Sequence, residues 1–430
     1  MTVRIEKAIY GGNGLGRDAD GRAVFVPYVL PGELVEIAPA ESHDGIQRVR
    51  VTRLDEPSAQ RTEPTCRHFG KCGGCQYQHA SYELQLAMKA DILSETLERA
   101  GLRNRPRITT HAGEPWGYRN RIRLRVEVFE GAIRFGYNLR DTREFLPIEE
   151  CPIAAPVLWR AASALIRLSG SKPAVAGWLR GAAEIELFAT GDEAALQVTL
   201  FLREERSAGF EEFCETVSDS ISEVCGIGLE VGAKRVRMGA GVGWGRSGLR
   251  YVVEGKGYWV SRGGFFQVNR FLVGELVQVV TAGRNGLIAW DLFAGVGLFS
   301  RVLAEGFERV TAVEANATAV KDLGTAKVPN LRGLLVSVVD FLRKAGVERE
   351  RPDLVVMDPP RAGVGTEVCG LLVRMQVPEI VYVSCDPTTL ARDLRVMVDS
   401  GYDLAELHLV DLFPQTFHLE TVAVLRRSTW

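Results

Sequence analysis

The chain has 430 residues, 46% hydrophobic and 25% charged, with 52 basic against 54 acidic side chains and a formal net charge of −2. That length supports two or three domains with real cores, and the near-neutral balance excludes a globally basic surface, so any nucleic-acid contact must be a local patch. No apolar run approaches the ~20 residues of a membrane span, and residues 1–6 lack the apolar stretch of a signal peptide, so a soluble, cytoplasmic protein without membrane contact is expected.

Residues 3–54 read as a small β module. Tyr10-Gly11-Gly12-Asn13-Gly14-Leu15-Gly16 is turn-rich, and residues 22–26, 32–37 and 47–52 read as strands, the last two alternating with period two. Short strands joined by glycine turns point to a barrel, with a generic β module as the alternative. Residues 56–64 form a polar, proline-containing linker. Cys66, Cys72 and Cys75 cluster directly after it, Cys151 lies far downstream, and Cys214, Cys225, Cys369 and Cys385 are scattered. Eight cysteines so unevenly placed do not make a secreted disulfide scaffold. In a reducing compartment the thiolates of Cys66, Cys72, Cys75 and Cys151 suit zinc or an iron–sulfur cluster, and spacing alone leaves both open.

Leu84, Met88, Ile92 and Leu97 recur at helical spacing and predict a helix over 82–100. Residues 117–260 read as a β-rich middle region with helices over 157–168 and 210–222. Within it Arg119, Arg121, Arg123 and Arg125 recur with period two. On a strand they share one face, where they track RNA phosphates or form cross-strand ion pairs. RNA contact is the expectation, because net charge supplies no other basic surface.

From about residue 286 the rhythm becomes strand–helix alternation, with β-rich apolar runs at 287–290, 309–313, 334–339, 354–357, 380–383 and 421–425. Such runs belong to a mostly parallel sheet covered by helices on both faces. Asp291-Leu292-Phe293-Ala294-Gly295-Val296-Gly297 follows the first run, and Glu314 ends the second. Glycines such as Gly295 let the backbone turn tightly against a ligand, and a carboxylate at Glu314 can accept ribose hydroxyls. G-x-G-x-x-G is absent, because Ser300 stands at its last position, and the loop opens with an acidic residue. That favours a nucleoside cofactor without phosphates, S-adenosylmethionine, over a dinucleotide.

Asp358-Pro359-Pro360-Arg361 ends the fourth run and Ser384-Cys385-Asp386-Pro387 the fifth. Ligands sit at the carboxyl ends of strands in open α/β sheets, so Asp358 and Cys385 face one crevice. An isolated cysteine is usually a small buried apolar residue. Polar neighbours and a following proline favour a nucleophile, which must act as thiolate. His418 and Glu420 both stand as candidate bases.

Together these segments resemble the RNA uracil-C5 methyltransferases, the 5-methyluridine-forming family. Phe265-Phe266-Gln267-Val268-Asn269, Asp358-Pro359-Pro360-Arg361, Ser384-Cys385-Asp386-Pro387 and Phe413-Pro414-Gln415-Thr416-Phe417-His418-Leu419-Glu420 look like that family's motifs in its order. The resemblance implies a class I, Rossmann-like methyltransferase domain at 261–430, a TRAM-like RNA-binding β-barrel at 1–58, and a β-rich central domain at 59–260, with a helix near 82–110 packing on the catalytic domain. It implies Cys385 as nucleophile and Glu420 as general base. Gln267, Phe293, Glu314 and Asp358 match cofactor-contacting positions, with Asp340 a further one, and Phe265 matches an aromatic position beside flipped-out RNA bases. Ala294 and Leu298 depart from residues common in the family. The four cysteines match a pattern that carries a [4Fe–4S] cluster in many members, with zinc the alternative. The TRAM-like module and the cysteines favour 23S ribosomal RNA as substrate over uridine 54 of tRNA, and no obligate protein partner is evident. A DNA amino-methyltransferase would explain Asp-Pro-Pro but not Cys385. A non-enzymatic RNA-binding iron–sulfur protein would leave Cys385 and Glu420 without purpose.

Overall fold

The computed structural model of the protein describes residues 1–39, 49–231 and 243–428. Five antiparallel strands, Thr2–Ala8, Asn13–Arg17, Ala23–Pro27, Leu34–Pro39 and Val49–Glu56, form the N-terminal sheet, with Thr2–Ala8 in the middle. The outer strands Ala23–Pro27 and Val49–Glu56 approach each other, curling the sheet into a half-barrel. Alternation drives the curl: Val3, Ile5, Val26, Val35 and Ile37 fill the concave side. Gln47 and Arg48 of the strand expected at 47–52 lie outside the described residues.

The central unit is a seven-stranded sheet, in the order Gly243–Gly245, Val224–Val231, Leu196–Leu202, Ala182–Ala189, Arg121–Phe129, Ala132–Asn138, Phe145–Pro147. Helices Pro156–Ser171, Pro173–Gly181 and Phe210–Ser220 cover one face, burying Leu158, Leu165, Trp178 and Phe213 against Ile122, Leu124, Ile185 and Leu187.

The catalytic sheet has eight strands, ordered Leu331–Leu335, Phe307–Glu314, Gly286–Leu292, Leu354–Met357, Glu379–Ser384, Thr421–Arg427, Tyr402–Val410, Ile108–His111. The first five are parallel, and Thr421–Arg427 runs antiparallel to both neighbours. Strand order reverses between Gly286–Leu292 and Leu354–Met357, which opens a crevice at their carboxyl ends. The run expected as a strand over 334–339 is divided: the strand ends at Leu335, and a helix, Val338–Glu348, begins. Ser337 caps that helix by accepting from Asp340 N at 3.1 Å, while Val338, Phe341, Leu342 and Ala345 make a buried helical face.

Two segments upstream of residue 261 pack in the catalytic core. The hairpin Gly248–Val253/Lys256–Ser261 buries Tyr251, Tyr258 and Val260 against Phe266, Leu276 and Phe299. The helix Tyr82–Arg99, capped by Ser81, buries Met88, Ile92, Leu93 and Leu97 with Leu390, Leu394, Met397 and Leu407. Ile108–His111, which follows it, pairs in parallel with Tyr402–Val410 at the sheet edge.

Lys89 on that helix is fully buried and meets Asp411 Oδ1 at 2.6 Å and the Phe413 carbonyl at 2.9 Å. Burial lowers its pKa, and Asp411 opposes that shift. Replacing Lys89 by Ala leaves a buried carboxylate unpaired and is expected to cost ~3–5 kcal/mol, whereas the double change Lys89→Met, Asp411→Leu recovers most of the loss. Thermal unfolding midpoints of the three proteins check this; a single variant as stable as the parent would refute it.

Candidate active site

The crevice is built from loops that follow the strands. After Gly286–Leu292 the chain turns through Phe293 (φ 63°), Gly295 (φ 55°) and Gly297 (φ 83°). A left-handed backbone at non-glycine Phe293 is costly and must be held by its surroundings. The Ala294 N–H donates to the Val313 carbonyl at 3.0 Å. The Gly295 N–H donates to Glu314 Oε2 at 3.0 Å, and the Asn316 N–H to Glu314 Oε1 at 2.7 Å, so Glu314 ties the loop to the neighbouring strand end. No atom lies within 4 Å of where a Cβ on Gly295 would stand, leaving space for a ligand.

Asp291, at the end of the strand, was not singled out as a site residue from sequence. It is completely buried; Oδ2 accepts from the Ser300 hydroxyl and N–H, while Oδ1 has no partner. Burial pushes its pKa up to about 7. Its signal in sequence was a carboxylate ending an apolar strand before a glycine loop. Asp340, by contrast, lies exposed in the first turn of Val338–Glu348, with Oδ2 accepting from the Ser337 hydroxyl at 2.6 Å.

Asp358 follows Leu354–Met357 and accepts from Gln267 Nε2 at 3.2 Å. Gln267 is itself held by the central unit, because Asn120 Nδ2 donates to its carbonyl at 2.9 Å. Phe265 beside it is 69% exposed, an uncommon position for an aromatic ring, whereas Phe266 is buried. Burial and the nearby Asp291 charge raise the Asp358 pKa to about 7. Cys385 follows Glu379–Ser384 directly. Burial, then the charges of Glu420 and Asp358, push its thiol up to about 11, against a lowering by Arg361. Glu420, at the foot of Thr421–Arg427, is buried, and burial and Asp358 hold its pKa well above the usual carboxylate range. The register that sets Ser384 opposite Thr421 brings Cys385 and Glu420 together, and the charge of Asp358 reaches both.

His418 lies apart in character. Arg361 Nη2 reaches its Nδ1 at 3.2 Å, and burial with that guanidinium lowers the imidazole pKa to about 4. Its lone pair is engaged, which separates it from Glu420 as a candidate base.

The loop between Tyr402–Val410 and Thr421–Arg427, which ends on Glu420, is irregular and largely buried, so its backbone groups need partners. Asn269 Nδ2 donates to the Leu412 carbonyl at 3.1 Å, Lys89 to that of Phe413, Tyr118 Oη to that of Pro414 at 3.0 Å, and the Gln76 and Tyr77 N–H groups to that of Gln415 at 3.0 Å each. Gln415 has a left-handed backbone (φ 67°), and Gln85 brackets it, accepting from its N–H at 2.9 Å and donating to its side-chain oxygen at 3.0 Å.

Gln76 directly follows the cysteine segment. Cys66, Cys72, Cys75 and Cys151 line one cavity of about 500 Å³ together with Arg119, Arg121, Arg123 and Tyr137. Burial raises all four thiols, Cys75 to about 12 and Cys151 to about 11. Among the described residues no three Cys, His, Asp or Glu side chains form a group able to hold a metal ion. Arg119 Nε is buried in that surround without a partner, as are two nitrogens of Arg121. Buried thiols facing unpaired guanidinium donors fit an anionic, thiolate-ligated group.

The arginine stripe differs from expectation. Arg119 precedes the strand Arg121–Phe129 and borders the cysteine cavity. Arg121 stacks on Phe188 with Glu186 at 3.7 Å; Arg123 stacks on Phe201 and pairs with Glu184; Arg125 pairs with Glu127 at 2.6 Å and Asn138 at 2.9 Å. Cross-strand pairing thus engages Arg121 and Arg123, whereas Arg125 pairs along its own strand.

Residues 81–428 match the tRNA (uracil-5-)-methyltransferase family. An uncharacterized RNA methyltransferase of Aquifex aeolicus is 31% identical over 446 residues, covering 99% of this chain and 98% of its own. The 23S rRNA (uracil(1939)-C(5))-methyltransferase RlmD of Chromohalobacter salexigens is 32% identical over 451 residues, covering 99% and 89%. Among solved structures, the Pyrococcus abyssi tRNA (uracil-54, C5)-methyltransferase in complex with S-adenosyl-L-homocysteine aligns with a TM-score of 0.76 at 24% identity, over 99% of this chain and 100% of that one. That likeness shows the expected methyltransferase fold.

The acidic crevice makes a pH prediction. Asp291 and Asp358, both near pKa 7, are partly protonated at neutral pH, and a cationic sulfonium binds best when they are ionised. S-adenosylmethionine affinity should therefore fall on acidification below pH 7, by up to about tenfold per pH unit for each proton taken up. S-adenosylhomocysteine, with a neutral sulfur, should lose less. Calorimetric titration of both ligands on either side of pH 7 checks this; parallel profiles would refute it.

Proposed function

The chain belongs to the tRNA (uracil-5-)-methyltransferase family, and we propose that within it this protein methylates C5 of a uridine in 23S ribosomal RNA. The observation that carries the chemistry is the antiparallel register that sets Ser384 opposite Thr421, so that Cys385 and Glu420 adjoin at the sheet edge, with Asp358 at the end of the neighbouring strand. The ribosomal substrate is supported by relatives named as 23S enzymes that align over nearly the whole chain.

S-adenosylmethionine supplies the methyl group on a cationic sulfur. Uracil C5 is too weak a nucleophile to take it unaided. The Cys385 thiolate adds to C6, forming a C–S bond and moving the electron pair toward C5 and O4. C5 then attacks the methyl carbon, and the methyl–sulfur bond breaks with its electron pair going to sulfur, so that neutral S-adenosylhomocysteine leaves. Glu420 removes the C5 proton, and elimination breaks the C–S bond and returns the thiolate. One difficult step becomes several easier ones. The resting site disfavours both the thiolate and the Glu420 carboxylate, because each lies buried beside other acidic groups. A positive charge entering the crevice would favour both reactive forms. The Asp358–Gln267 contact orients the groups between cofactor and base. Exposed Phe265 is suited to stack on a nucleotide drawn out of the RNA fold.

In the four-cysteine cavity we place a [4Fe–4S] cluster rather than zinc. A zinc ion, which takes four sulfurs at ~2.3 Å, is the alternative occupant. A larger anionic cluster suits thiols arranged around a cavity of about 500 Å³ with Arg119 beside them. Methyl transfer requires no redox step, so the group serves to hold Cys66, Cys72, Cys75 and Cys151 together.

Cys385→Ala should abolish both methylation and the covalent complex with 5-fluorouridine RNA. Glu420→Gln should still transfer methyl but accumulate the adduct, since elimination needs the proton removed. Normal turnover by either variant would remove the corresponding role. Anaerobically purified protein should show broad visible absorption; a colourless protein containing zinc would overturn the cluster. Mapping 5-methyluridine in RNA from cells with and without the gene separates 23S ribosomal RNA from tRNA.

A further inference from the structure

The catalytic cysteine loop is touched by a residue from the opposite end of the chain. Tyr10 lies in the turn between the barrel strands Thr2–Ala8 and Asn13–Arg17. Its hydroxyl donates to the Cys385 carbonyl at 3.4 Å, across a separation of 375 residues. Burial raises the phenol pKa, and the nearby Asp386 carboxylate raises it further. The edge of the Tyr10 ring meets Phe417 with centroids 5.4 Å apart and planes at 83°, a favoured aromatic geometry.

The turn that carries Tyr10 is built for close approach. Gly12 has φ +86°, and a Cβ there would stand 2.6 Å from Gln76 Cγ and 3.4 Å from Phe417 Cβ, so only glycine lets the backbone pack this closely. Asn13, next in the chain, accepts from Arg140 Nη2 of the central unit at 3.0 Å. The turn is therefore gripped by the cysteine segment, the central unit and the loop that ends on Glu420.

On the other side, Cys385 sits between two fixed points. The strand Glu379–Ser384 ends immediately before it. Asp386 after it caps the helix Pro387–Asp399, accepting from the Thr388 and Thr389 N–H groups at 2.9 and 3.0 Å. The Cys385 peptide is the hinge between them, and its orientation sets where Sγ points. Burial and the Asp386 charge keep the Tyr10 phenol protonated, so it remains a donor.

We propose that Tyr10 is a positioning residue for the nucleophile: the barrel supplies the phenol that pins the Cys385 peptide, so the N-terminal module completes the catalytic centre as well as meeting RNA. This rests on the reading of Cys385 as nucleophile. Tyr10→Phe keeps the ring on Phe417 and removes only the hydrogen bond. Gly12→Ala keeps the phenol and displaces the turn.

The test is the rate of covalent complex formation with 23S ribosomal RNA transcribed with 5-fluorouridine, in the presence of S-adenosylmethionine, using the full chain. C5 then carries fluorine instead of a removable proton, so the adduct persists. Both variants should form it about three- to tenfold more slowly at saturating RNA, the range of one lost hydrogen bond. RNA affinity by filter binding and the thermal midpoint of Tyr10→Phe should match the parent. A parental adduct rate in Tyr10→Phe overturns the proposal. So does a defect that disappears at saturating RNA, which would make Tyr10 an RNA contact. Absence of adduct in the parent protein would instead strike down the nucleophile assignment itself, and the proposal with it.

Discussion

The fully buried pair of Lys89 and Asp411 is the constraint around which the active site is arranged. A charge sealed from water is tolerable only with a matched partner and its remaining hydrogen bonds filled. Lys89 has that partner in Asp411 and also captures the Phe413 carbonyl, which fastens the helix Tyr82–Arg99 to the loop that ends on Glu420. That loop has no regular structure of its own. Four successive carbonyls, from Leu412 to Gln415, are met by donors from four places in the chain. The left-handed backbone at Gln415 is a strain of the kind that survives only where the surroundings over-determine it. Glu420 is thus held by contacts from several parts of the chain and not by its own strand alone.

The same site is held back electrostatically. Asp291, Asp358, Glu420 and Cys385 crowd a crevice in which burial disfavours every negative charge, and each charge formed raises its neighbours further. The Arg361 guanidinium opposes the shift at Cys385. Coupled acids of this kind share protons and do not titrate one by one. Burial favours the Cys385 thiol over the thiolate, which is the reactive form.

Much of the chemistry was legible in sequence because it is local. Asp358 and Cys385 stand at strand ends, and a parallel sheet sends all its strand ends to one edge, so apolar runs alone predicted that they share a crevice. The glycine loop and Glu314 were readable for the same reason. Long-range partners were not. The arginine stripe was visible, but the glutamates that occupy it lie on Ala182–Ala189, some sixty residues on. The boundary at Ser337 was hidden by a valine-rich run that reads as strand, where a serine cap overrode β propensity. Arg361 lowers the claim of His418 as base through a contact that spans 57 residues. Lys89 and Tyr10 gave no local signal, since each matters only through a partner more than 300 residues away.

The edge strand Ile108–His111 has a consequence for how the protein is made. Its partner, Tyr402–Val410, emerges from the ribosome almost 300 residues later, which at ordinary synthesis rates is a delay of roughly 15–60 s. Throughout that interval Tyr82–Arg99 lacks Leu390, Leu394, Met397 and Leu407, and Lys89 lacks Asp411, while the helix's partners from the N-terminal module, such as Ala8 and Leu30, are already made. The nascent chain therefore carries a folded central unit inserted into an unfinished catalytic one. Sequestering that partly covered helix until translation ends is a problem for the cell rather than for the finished enzyme.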